Sequence, residues 1–326
     1  MSVEDPAIIT CAISGAIANR EQCPAIPYTP AEYAAEARRI VDEGGVHIHI
    51  HARKPDGTPS YEVEDFSAIK EAITAEVGED AIINFSTGTV GVPVAKRIAY
   101  LEACRPAVAA LNMGSLNYAK YSRSRHDFVF KFVFVNPFDE IIELLQAMRR
   151  LDIKPEHECF DLGHVGSLPP LLDMGLLEPP LHADFVMGVM GGVPASARNL
   201  AAMAGNLSEI PFGEPSVRRA GTNPGSRHHH WSVIGIGRDQ WMMVAAALTL
   251  GGSIRVGLED NFYLPGGEMA RSNGELIAKA RQMTEDAGRR PATVREARDL
   301  LAIGLDPPEA GDDLSAAAQG TDGRSQ

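Results

Sequence analysis

The stretch TPAEYAAEARRIVDEGGVHIHIH, residues 29–51, decides the fold class. Thr29 ahead of Pro30 and Glu32 is typical of a helix N-terminus, because it supplies a capping hydroxyl, a proline at the first helical position and a capping-box acid. An alanine-rich run then continues to Val41, and after a short turn polar and apolar residues alternate. We interpret the stretch as a helix that leads into a β-strand.

The same unit recurs along the chain. Short β-rich runs alternate with longer amphipathic stretches, which predicts an α/β fold, a (β/α)8 TIM barrel, as a single domain over residues 1–308. The eight runs are Ala7–Ile13, Val46–His51, Ala81–Phe85, Val108–Asn112, His157–Asp161, Phe185–Val189, Trp231–Ile236 and Ser253–Val256.

Two segments depart from this rhythm. Tyr118–Asn136 is longer than a usual loop and contains an aromatic-rich run. We expect it to pack against a neighbouring element or subunit, and its alternation leaves an extra strand open. Glu309–Gln326 is rich in Gly, Ser, Asp and Ala, which predicts a flexible C-terminal tail. Before that tail, Thr293 and Glu296 repeat the capping box of a helix.

Composition and charge limit the classes of function. Of 326 residues 44% are hydrophobic, enough for a sizeable core, and the net charge of −13 repels nucleic-acid phosphates. No apolar run is long enough to span a membrane, and the N-terminus lacks a secretory signal pattern. The four cysteines have no CxxC spacing and indicate a reduced compartment. We therefore expect a cytoplasmic globular protein that binds neither nucleic acid nor membrane.

Three histidines alternate at His47, His49 and His51, so their imidazoles share one face of a strand. Two histidines at positions i and i+2 near the C-terminal end of a strand can bind one cation. The alternative is a polar strand face whose histidines are hydrogen-bonded. The triple alternation and the Gly/Pro loop that follows favour a metal site. His47, deeper in the strand, is expected to pack or to support a ligand.

A second polar strand end is Arg255–Asn261, where a short buried strand runs into Glu259 and Asp260. In a barrel such an end lies at the rim where active sites assemble. One of two adjacent carboxylates can meet a cation while the other faces substrate and titrates near neutrality. The alternative is that Asp260 caps a helix. Combined with the histidines, the pattern predicts a His/His/carboxylate site with a position open for substrate.

Other strand ends are polar in the same sense, and their convergence on one rim gives them weight. Each is a weak signal alone, because glycine turns and caps commonly end strands. They are Asn84–Thr89, Asn112–Ser115, Glu156–Glu158 with Asp161, and Gly188–Pro194.

Two further patterns are interpreted as structural. His228–His230 would diverge on a strand edge and is expected in a solvated loop. Gly235–Arg238 matches half of a dinucleotide-binding fingerprint but lacks the third glycine, which disfavours a Rossmann site.

In combination these strings are similar to those of the β-keto acid cleavage enzyme family, over roughly Ile8 to Leu301. The motifs that carry the resemblance are Gly15-Ala16, Pro27–Pro30, His49–Arg53, Pro55–Gly57, Ser86–Gly88, Leu111-Asn112, Gly188, Gly191-Gly192, Gly235–Arg238 and Arg255–Asn261. The resemblance implies a (β/α)8 barrel, a homotetramer and one divalent metal, normally zinc. It implies condensation of a β-keto acid with acetyl-CoA to give acetoacetate and a new CoA thioester.

The resemblance also assigns roles to residues. It implies His49, His51 and Glu259 as metal ligands, a set that suits zinc but tolerates cobalt, manganese or nickel. It implies Asp260 as general base and Arg255 as its dyad partner. Glu158 and Ser86 join them as catalytic candidates, and the expected substrate-binding residues are Ser86, Thr87, Gly88, Asn112, Gly191 and Gly192. CoA is expected to enter where Gly191-Gly192 leaves room.

One position departs from the family pattern. Where a member acts on an amino-substituted keto acid, a glutamate follows the Gly-Ala turn, and this chain has Ile17 there. An ammonium group buried without a partner costs several kcal/mol. We therefore expect a β-keto acid that lacks the amino group.

Two other classes of function stay open. A metal-dependent barrel hydrolase or lyase also begins with His-x-His, but such enzymes commonly add histidines and an Asp at later strand ends, where this chain has Glu259 and Asp260. A catalytically silent barrel would serve as a binding or scaffold protein, yet it has no physical reason to keep desolvated acids beside a metal. CoA-dependent consumption of a keto acid separates the first class from both.

Overall fold

The computed structural model describes residues 1–212 and 228–304. Eight parallel strands close into a barrel, which confirms the (β/α)8 TIM barrel, and each predicted run overlaps one barrel strand. The strands, in chain order, are β1 (Ile9–Ala12), β2 (His47–Ile50), β3 (Ile82–Ser86), β4 (Val108–Asn112), β5 (Leu116–Ser122), β6 (Asp127–Phe134), β7 (Lys154–Cys159), β8 (His182–Met187), β9 (His230–Gly235) and β10 (Ser253–Val256). Around the barrel the order is β1-β10-β9-β8-β7-β4-β3-β2.

Helices surround the barrel, and both predicted capping boxes are present, at Thr29 with Glu32 and at Thr293 with Glu296. Because each box satisfies backbone N–H groups that would otherwise lack a partner, it fixes where the helix begins. The helices are α1 (Pro30–Asp42), α2 (Val63–Val77), α3 (Val94–Cys104), α4 (Phe138–Arg150), α5 (Leu162–Val165), α6 (Leu168–Asp173), α7 (Ala197–Ser208), α8 (Gln240–Thr249), α9 (Asn273–Asp286) and α10 (Val294–Leu301).

The middle of the barrel interior is polar. Across the interior, Glu156 of β7 lies 3.6 Å from His182 of β8 and 3.8 Å from His49 of β2. The alternate positions of the strands are apolar and face the helices, as where the rings of Phe85 and Phe66 lie 4.7 Å apart. A TIM barrel commonly fills its interior with branched apolar side chains. Here the main apolar core lies instead between the strands and the helices.

Strands β5 and β6 form an antiparallel hairpin, so the extra-strand alternative for residues 118–136 is confirmed. One face of the hairpin packs on apolar residues at the C-terminal ends of β7, β8 and β9. The contacting residues are Leu116, Tyr118, Phe132 and Phe134 on the hairpin and Phe160, Val186, Val189 and Ile234 on the barrel. The hairpin therefore lies beside the mouth of the barrel at the end where active sites assemble.

The interpretation of His228–His230 as a solvated loop is wrong for two of the three residues. His229 and His230 are buried, because β9 begins earlier than its apolar run suggested. His229 accepts a hydrogen bond from the Leu181 amide at 3.0 Å, and His230 faces the Ser253 hydroxyl at 3.0 Å. Both imidazoles are structural.

The remaining predictions concern cysteines, membranes and the tail. All four cysteines are buried and free, as expected of core residues. Within the described ranges, no helix has the length and apolar character needed to cross a bilayer. The predicted tail, residues 309–326, lies outside the described residues.

Candidate active site

His49, His51 and Glu259 meet at the C-terminal rim of the barrel. His49 Nε2 lies 3.8 Å from Glu259 Oε2, and His51 Nε2 lies 3.5 Å from Glu259 Oε1. Both ring nitrogens of His49 and the Oε2 atom of Glu259 are buried without a hydrogen-bond partner. Burial lowers the pKa of His49 well below its usual value, so its imidazole is neutral and offers a lone pair. This donor set could hold one divalent cation.

Two glycines bring the strand ends together at these residues. Gly257 has φ +141°, and a Cβ there would lie 2.2 Å from the Ala12 carbonyl oxygen, so β10 closes on β1 only with glycine at this point. Gly15 has φ +61°, and a Cβ there would lie 2.8 Å from Glu259 Cγ. The turn after β1 therefore packs directly against the acidic side chain.

The backbone at His51 is held from the side of α1. Its carbonyl oxygen accepts hydrogen bonds from the Tyr33 hydroxyl at 2.6 Å and from the Ser14 hydroxyl at 3.1 Å. Tyr33 and Ser14 also bond to each other at 2.7 Å. These contacts fix the end of β2 and hence the position of the His51 ring.

Arg53, part of the motif that carries the resemblance, has an architectural role. Its guanidinium donates to the Gly15 carbonyl at 2.7 Å and to the Gly57 carbonyl at 2.6 Å, and it also bonds to the Ala18 carbonyl. It lies 5.5 Å from the centre of the Tyr28 ring. Arg53 therefore ties the turn after β1 to the loop after β2, and both border the metal-ligand candidates.

Arg255 joins three carboxylates in the buried part of the rim. It binds both oxygens of Asp260, with Nε at 2.9 Å and Nη2 at 3.0 Å. It also donates to Glu259 at 2.8 Å and to Glu158 at 3.1 Å. A two-pronged contact with a planar guanidinium fixes the orientation of a carboxylate. Asp260 is thus the most firmly oriented of the three acids.

The electrostatics of the three acids differ. Burial raises the pKa of Asp260 to about 6 and that of Glu158 to about 7, against the opposing charge of Arg255. Burial would raise the pKa of Glu259 too, but Arg255 and then His51 and His49 hold it well below its usual value. Glu259 thus stays ionised, as a ligand must, while the other two can exchange protons near neutrality.

Ser86, Gly88 and Asn112 form a polar corner next to Glu158. A Cβ on Gly88 would lie 2.9 Å from Asn112 Nδ2 and 3.4 Å from Ser86 Oγ, so only a glycine lets these side chains approach. Asn112 is also the register partner of Glu158 in the pairing of β4 with β7. The Thr87 hydroxyl instead donates to the Ala110 carbonyl at 2.6 Å and holds β4.

The rim at Gly191-Gly192 is filled by the chain itself. A Cβ on Gly191 would lie 1.6 Å from the Asn117 carbonyl oxygen, and one on Gly192 would lie 2.7 Å from the Phe160 carbonyl oxygen. The hairpin and the end of β7 occupy the space that side chains at these positions would take, and CoA entry at this turn stays a prediction. Packing alone explains why both positions are glycine.

Several residues of the interior were given no individual role by the sequence analysis, although Glu156 stood in one of its polar strand ends. Glu156 Oε1 accepts from Asn84 at 2.8 Å and lies 3.8 Å from His49 Nδ1, directly beneath the candidate ligand. His182 Nε2 lies 3.3 Å from Asp184. Burial, and then the charge of Asp184, raises the pKa of Glu156 well above its usual value. The alternation of Glu156 with Glu158, and of His182 with Asp184, was the signal that could have found them.

Tyr118 of the hairpin was also missed. Burial raises the pKa of its hydroxyl to about 12, with further contributions from the negative charges of Glu259 and Asp260. The hairpin therefore brings an aromatic side chain into the electrostatic range of the rim acids. Alternation in the sequence indicated a strand here but not which face would meet the barrel.

Comparison with known proteins gives consistent results. The model of the family described as beta-keto acid cleavage enzyme matches residues 6–303. The chain is 36% identical over 298 residues to the 3-keto-5-aminohexanoate cleavage enzyme of Acetoanaerobium sticklandii, covering 91% of this chain and 98% of that protein. It is 33% identical over 318 residues to the 3,5-dioxohexanoate:acetyl-CoA acetone transferase of Paraburkholderia graminis, covering 93% of this chain and 97% of that protein.

A solved structure shares the fold. Apo ObcA aligns with a TM-score of 0.66 at 21% identity, covering 86% of this chain and 66% of that one. With a family model that spans nearly all the described residues, and with relatives matched along almost their whole length, the chain belongs to the beta-keto acid cleavage enzyme family.

Proposed function

We propose that this protein is a metal-dependent acyltransferase that condenses a β-keto acid with acetyl-CoA, giving acetoacetate and a new acyl-CoA. One observation carries the proposal. Donor atoms of His49, His51 and Glu259 converge at the rim. Both ring nitrogens of His49 and the Oε2 atom of Glu259 have no hydrogen-bond partner, and Arg255 holds the neighbouring Asp260 carboxylate. Membership of the family and the acetyl-CoA transferase named among the relatives support it.

We infer that His49, His51 and Glu259 hold the cation, for which zinc suits the donor set. A bound cation would polarise the ketone of the keto acid and favour the build-up of negative charge on its oxygen. Glu259, held ionised by Arg255, supplies the charged ligand. Glu156 Oε1 lies 3.8 Å from His49 Nδ1, beyond hydrogen-bond distance, and is proposed to approach and accept the Nδ1–H of that ring when Nε2 binds the cation.

Asp260 is the proposed general base. The most acidic C–H of a β-keto acid lies between its carboxylate and its ketone, and a carboxylate with a pKa of about 6 is largely ionised at neutral pH. Arg255 binds both oxygens of Asp260 and so fixes the direction from which the proton is taken. The carbon that loses this proton then attacks the acetyl thioester and displaces the CoA thiolate. The thiolate attacks the original ketone, and the bond between that carbonyl carbon and the new acetyl-bearing carbon breaks. This releases the new acyl-CoA and the acetoacetate carbanion, which takes up a proton.

Proton donors and hydrogen-bond donors face the same space. Glu158, with a pKa of about 7, is proposed to return a proton during carbon–carbon cleavage. Ser86 and Asn112, with the Gly88 backbone between them, are proposed to bind substrate oxygens. In this proposal Thr87 holds β4 and the glycines at 191 and 192 shape the rim.

The function is tested with metal-loaded protein, acetyl-CoA and a panel of β-keto acids. We expect acetoacetate and a new acyl-CoA from the wild type and none above background from His49→Ala. His228→Ala is the matched control, because this exposed histidine lies before β9, at the opposite end of the barrel. No turnover across the panel, despite one bound cation per chain, would favour the hydrolase or lyase alternative, to be tested with amides, lactones and esters.

The substrate is proposed to lack a 5-amino group. Ile17 is 66% exposed, so the penalty for an unpaired ammonium is smaller than it would be in a buried pocket. We expect the wild type to prefer a neutral 5-oxo acid over its 5-amino analogue, by about tenfold in kcat/KM. We expect Ile17→Glu to reduce this ratio of kcat/KM values about threefold, because the glutamate would form an exposed ion pair with the ammonium group of the 5-amino substrate. A higher kcat/KM of the wild type for the 5-amino analogue than for the 5-oxo acid would contradict the prediction.

A further inference from the structure

The β5–β6 hairpin is basic on an acidic chain. Residues 116–134 contain four basic residues and one acidic residue, a net charge of +3 on a chain of −13. Lys120, Arg123, Arg125 and Lys131 are all exposed, and none forms an ion pair with a carboxylate of residues 1–212 or 228–304. A local field of this sign attracts an anionic ligand that the rest of the surface repels.

The hairpin also has an aromatic face, formed by Tyr118, Phe130 and Phe132 together with Lys120. Tyr118 stacks on Phe132 with ring centres 5.3 Å apart and lies 6.1 Å from Phe130, with interplanar angles of 18° and 13°. In the strand pairing Lys120 is opposite Phe130 and Tyr118 is opposite Phe132, so all four share one face. Lys131 is opposite Ala119 and lies on the other face.

This aromatic face leads away from the candidate active site. At its base Tyr118 and Phe132 belong to the apolar cluster with Phe160, whereas Phe130 lies outside that cluster, and Ala119 forms a bridge to Met190 of the rim. Farther along the hairpin come Lys120 of β5 with Phe130 opposite it on β6, and then the turn with Arg123 and Arg125. The face thus runs from the rim acids to a cationic tip.

We propose that the aromatic face and the cationic tip bind the nucleotide end of the acyl-CoA cosubstrate, with its phosphates at Lys120, Arg123 and Arg125. The inference rests on the proposed function. A CoA thioester reacts at one end, carries a phosphorylated adenosine at the other, and joins them by a long uncharged arm. Planar guanidinium groups bind phosphate, and aromatic faces stack on a base, which matches the order of groups along the hairpin.

The test compares two thioesters and a small set of variants. The triple variant Lys120→Ala, Arg123→Ala, Arg125→Ala removes the three cations of the tip. The control Lys131→Ala removes one exposed cation of the same hairpin from the opposite face, and each single variant of the tip is compared with it charge for charge. The substrates are acetyl-CoA and the acetyl thioester of N-acetylcysteamine, which lacks the nucleotide. The KM for acetyl-CoA should rise at least about tenfold in the triple variant, with kcat little changed.

Two controls separate nucleotide binding from a structural effect. For the truncated thioester, kcat/KM should be the same in the wild type and the triple variant. Lys131→Ala should stay within about twofold of the wild type with both thioesters. An equal loss with both thioesters, or an unchanged KM for acetyl-CoA, would overturn the proposal.

A binding measurement keeps this proposal distinct from the proposed function. Titration calorimetry with adenosine 3′,5′-bisphosphate requires no turnover, and the triple variant should bind it at least about tenfold more weakly than the wild type. Acyl transfer without any such difference would leave the proposed function standing and overturn the nucleotide site. A change in molecular mass by light scattering, with KM unaffected, would instead identify the hairpin as an interface between copies of this chain and would also overturn it.

Discussion

Replacement of Arg255 by methionine is expected to lower the free energy of unfolding of the metal-free protein by about 3–5 kcal/mol at neutral pH. The guanidinium is 2% exposed and contacts Asp260, Glu259 and Glu158. Its removal leaves three acids close together with no compensating cation, so the folded state must bear their repulsion and desolvation. The shift of the urea denaturation midpoint measures the loss.

The loss is expected to depend on pH. Without Arg255 the folded-state pKa values of all three carboxyls rise. Those of Asp260 and Glu158 move further above their values in the unfolded chain, and that of Glu259 moves up from below its own. A carboxyl with a raised folded-state pKa destabilises the fold above its unfolded-state pKa, and that penalty disappears as the pH falls. Because Asp260 and Glu158 already have raised values of about 6 and about 7, the deficit of the variant should shrink from about pH 8 to about pH 5.

Arg289→Met provides the control for this prediction. Arg289 is also buried, but its hydrogen bonds go to backbone carbonyls, including those of Leu248 and Asp5. Loss of such bonds should cost about 1–3 kcal/mol with a smaller dependence on pH. The carbonyls do not titrate, and the charge of Arg289 acts on Asp5 and on the N-terminal amine rather than on a buried cluster of acids. If the two variants lost the same stability with the same pH profile, the buried charge cluster would not be the cause.

Substitutions of the adjacent acids Glu259 and Asp260 are expected to have different effects on kcat and on metal binding. Asp260→Asn should lower kcat by about 10²–10⁴ and keep the bound cation, since a general base contributes on this scale. Glu259→Gln should lose the cation, because Glu259 is the acid that lies within 3.8 Å of both histidines. Metal content after dialysis against a zinc buffer, together with kcat, measures both effects.

Two outcomes would contradict this division of roles. Asp260→Asn protein that released its cation as readily as Glu259→Gln would place Asp260 among the ligands. Asp260→Asn protein that retained kcat within about tenfold of the wild type would exclude Asp260 as the base. Unfolding midpoints of both variants should accompany the kinetics, because Arg255 contacts each side chain.

Local patterns in the sequence were sufficient to predict the barrel. The alternation of short β-rich runs with capped helices fixes the order of elements, and one closed topology satisfies that order. His49 and His51 were predictable for the same reason, since alternation puts both side chains on one face of β2. Glu259 and Asp260 could be placed at the rim because they follow a buried strand.

The rest depended on contacts between distant parts of the chain. Alternation shows that Glu156 and Glu158 share a face, but not that His49, from another strand, lies above Glu156. A glycine pair signals close approach without naming the approaching atom, so the contact between Gly191 and Asn117 could not be predicted. The sequence indicated a possible strand in residues 118–136, but not which face of the hairpin packs on the barrel.

The polar middle of the barrel and the apolar core around it serve two different tasks. Cohesion comes mainly from the shell where Phe85 and its neighbours meet the helices, and that shell reaches the candidate site through supporting contacts such as that of the Tyr33 hydroxyl with the His51 carbonyl. During evolution the polar interior can therefore accept substitutions as long as its charges stay balanced, while the apolar core is conserved. Substitutions in the interior can therefore change the specificity for keto acids while the packing that stabilises the fold is retained.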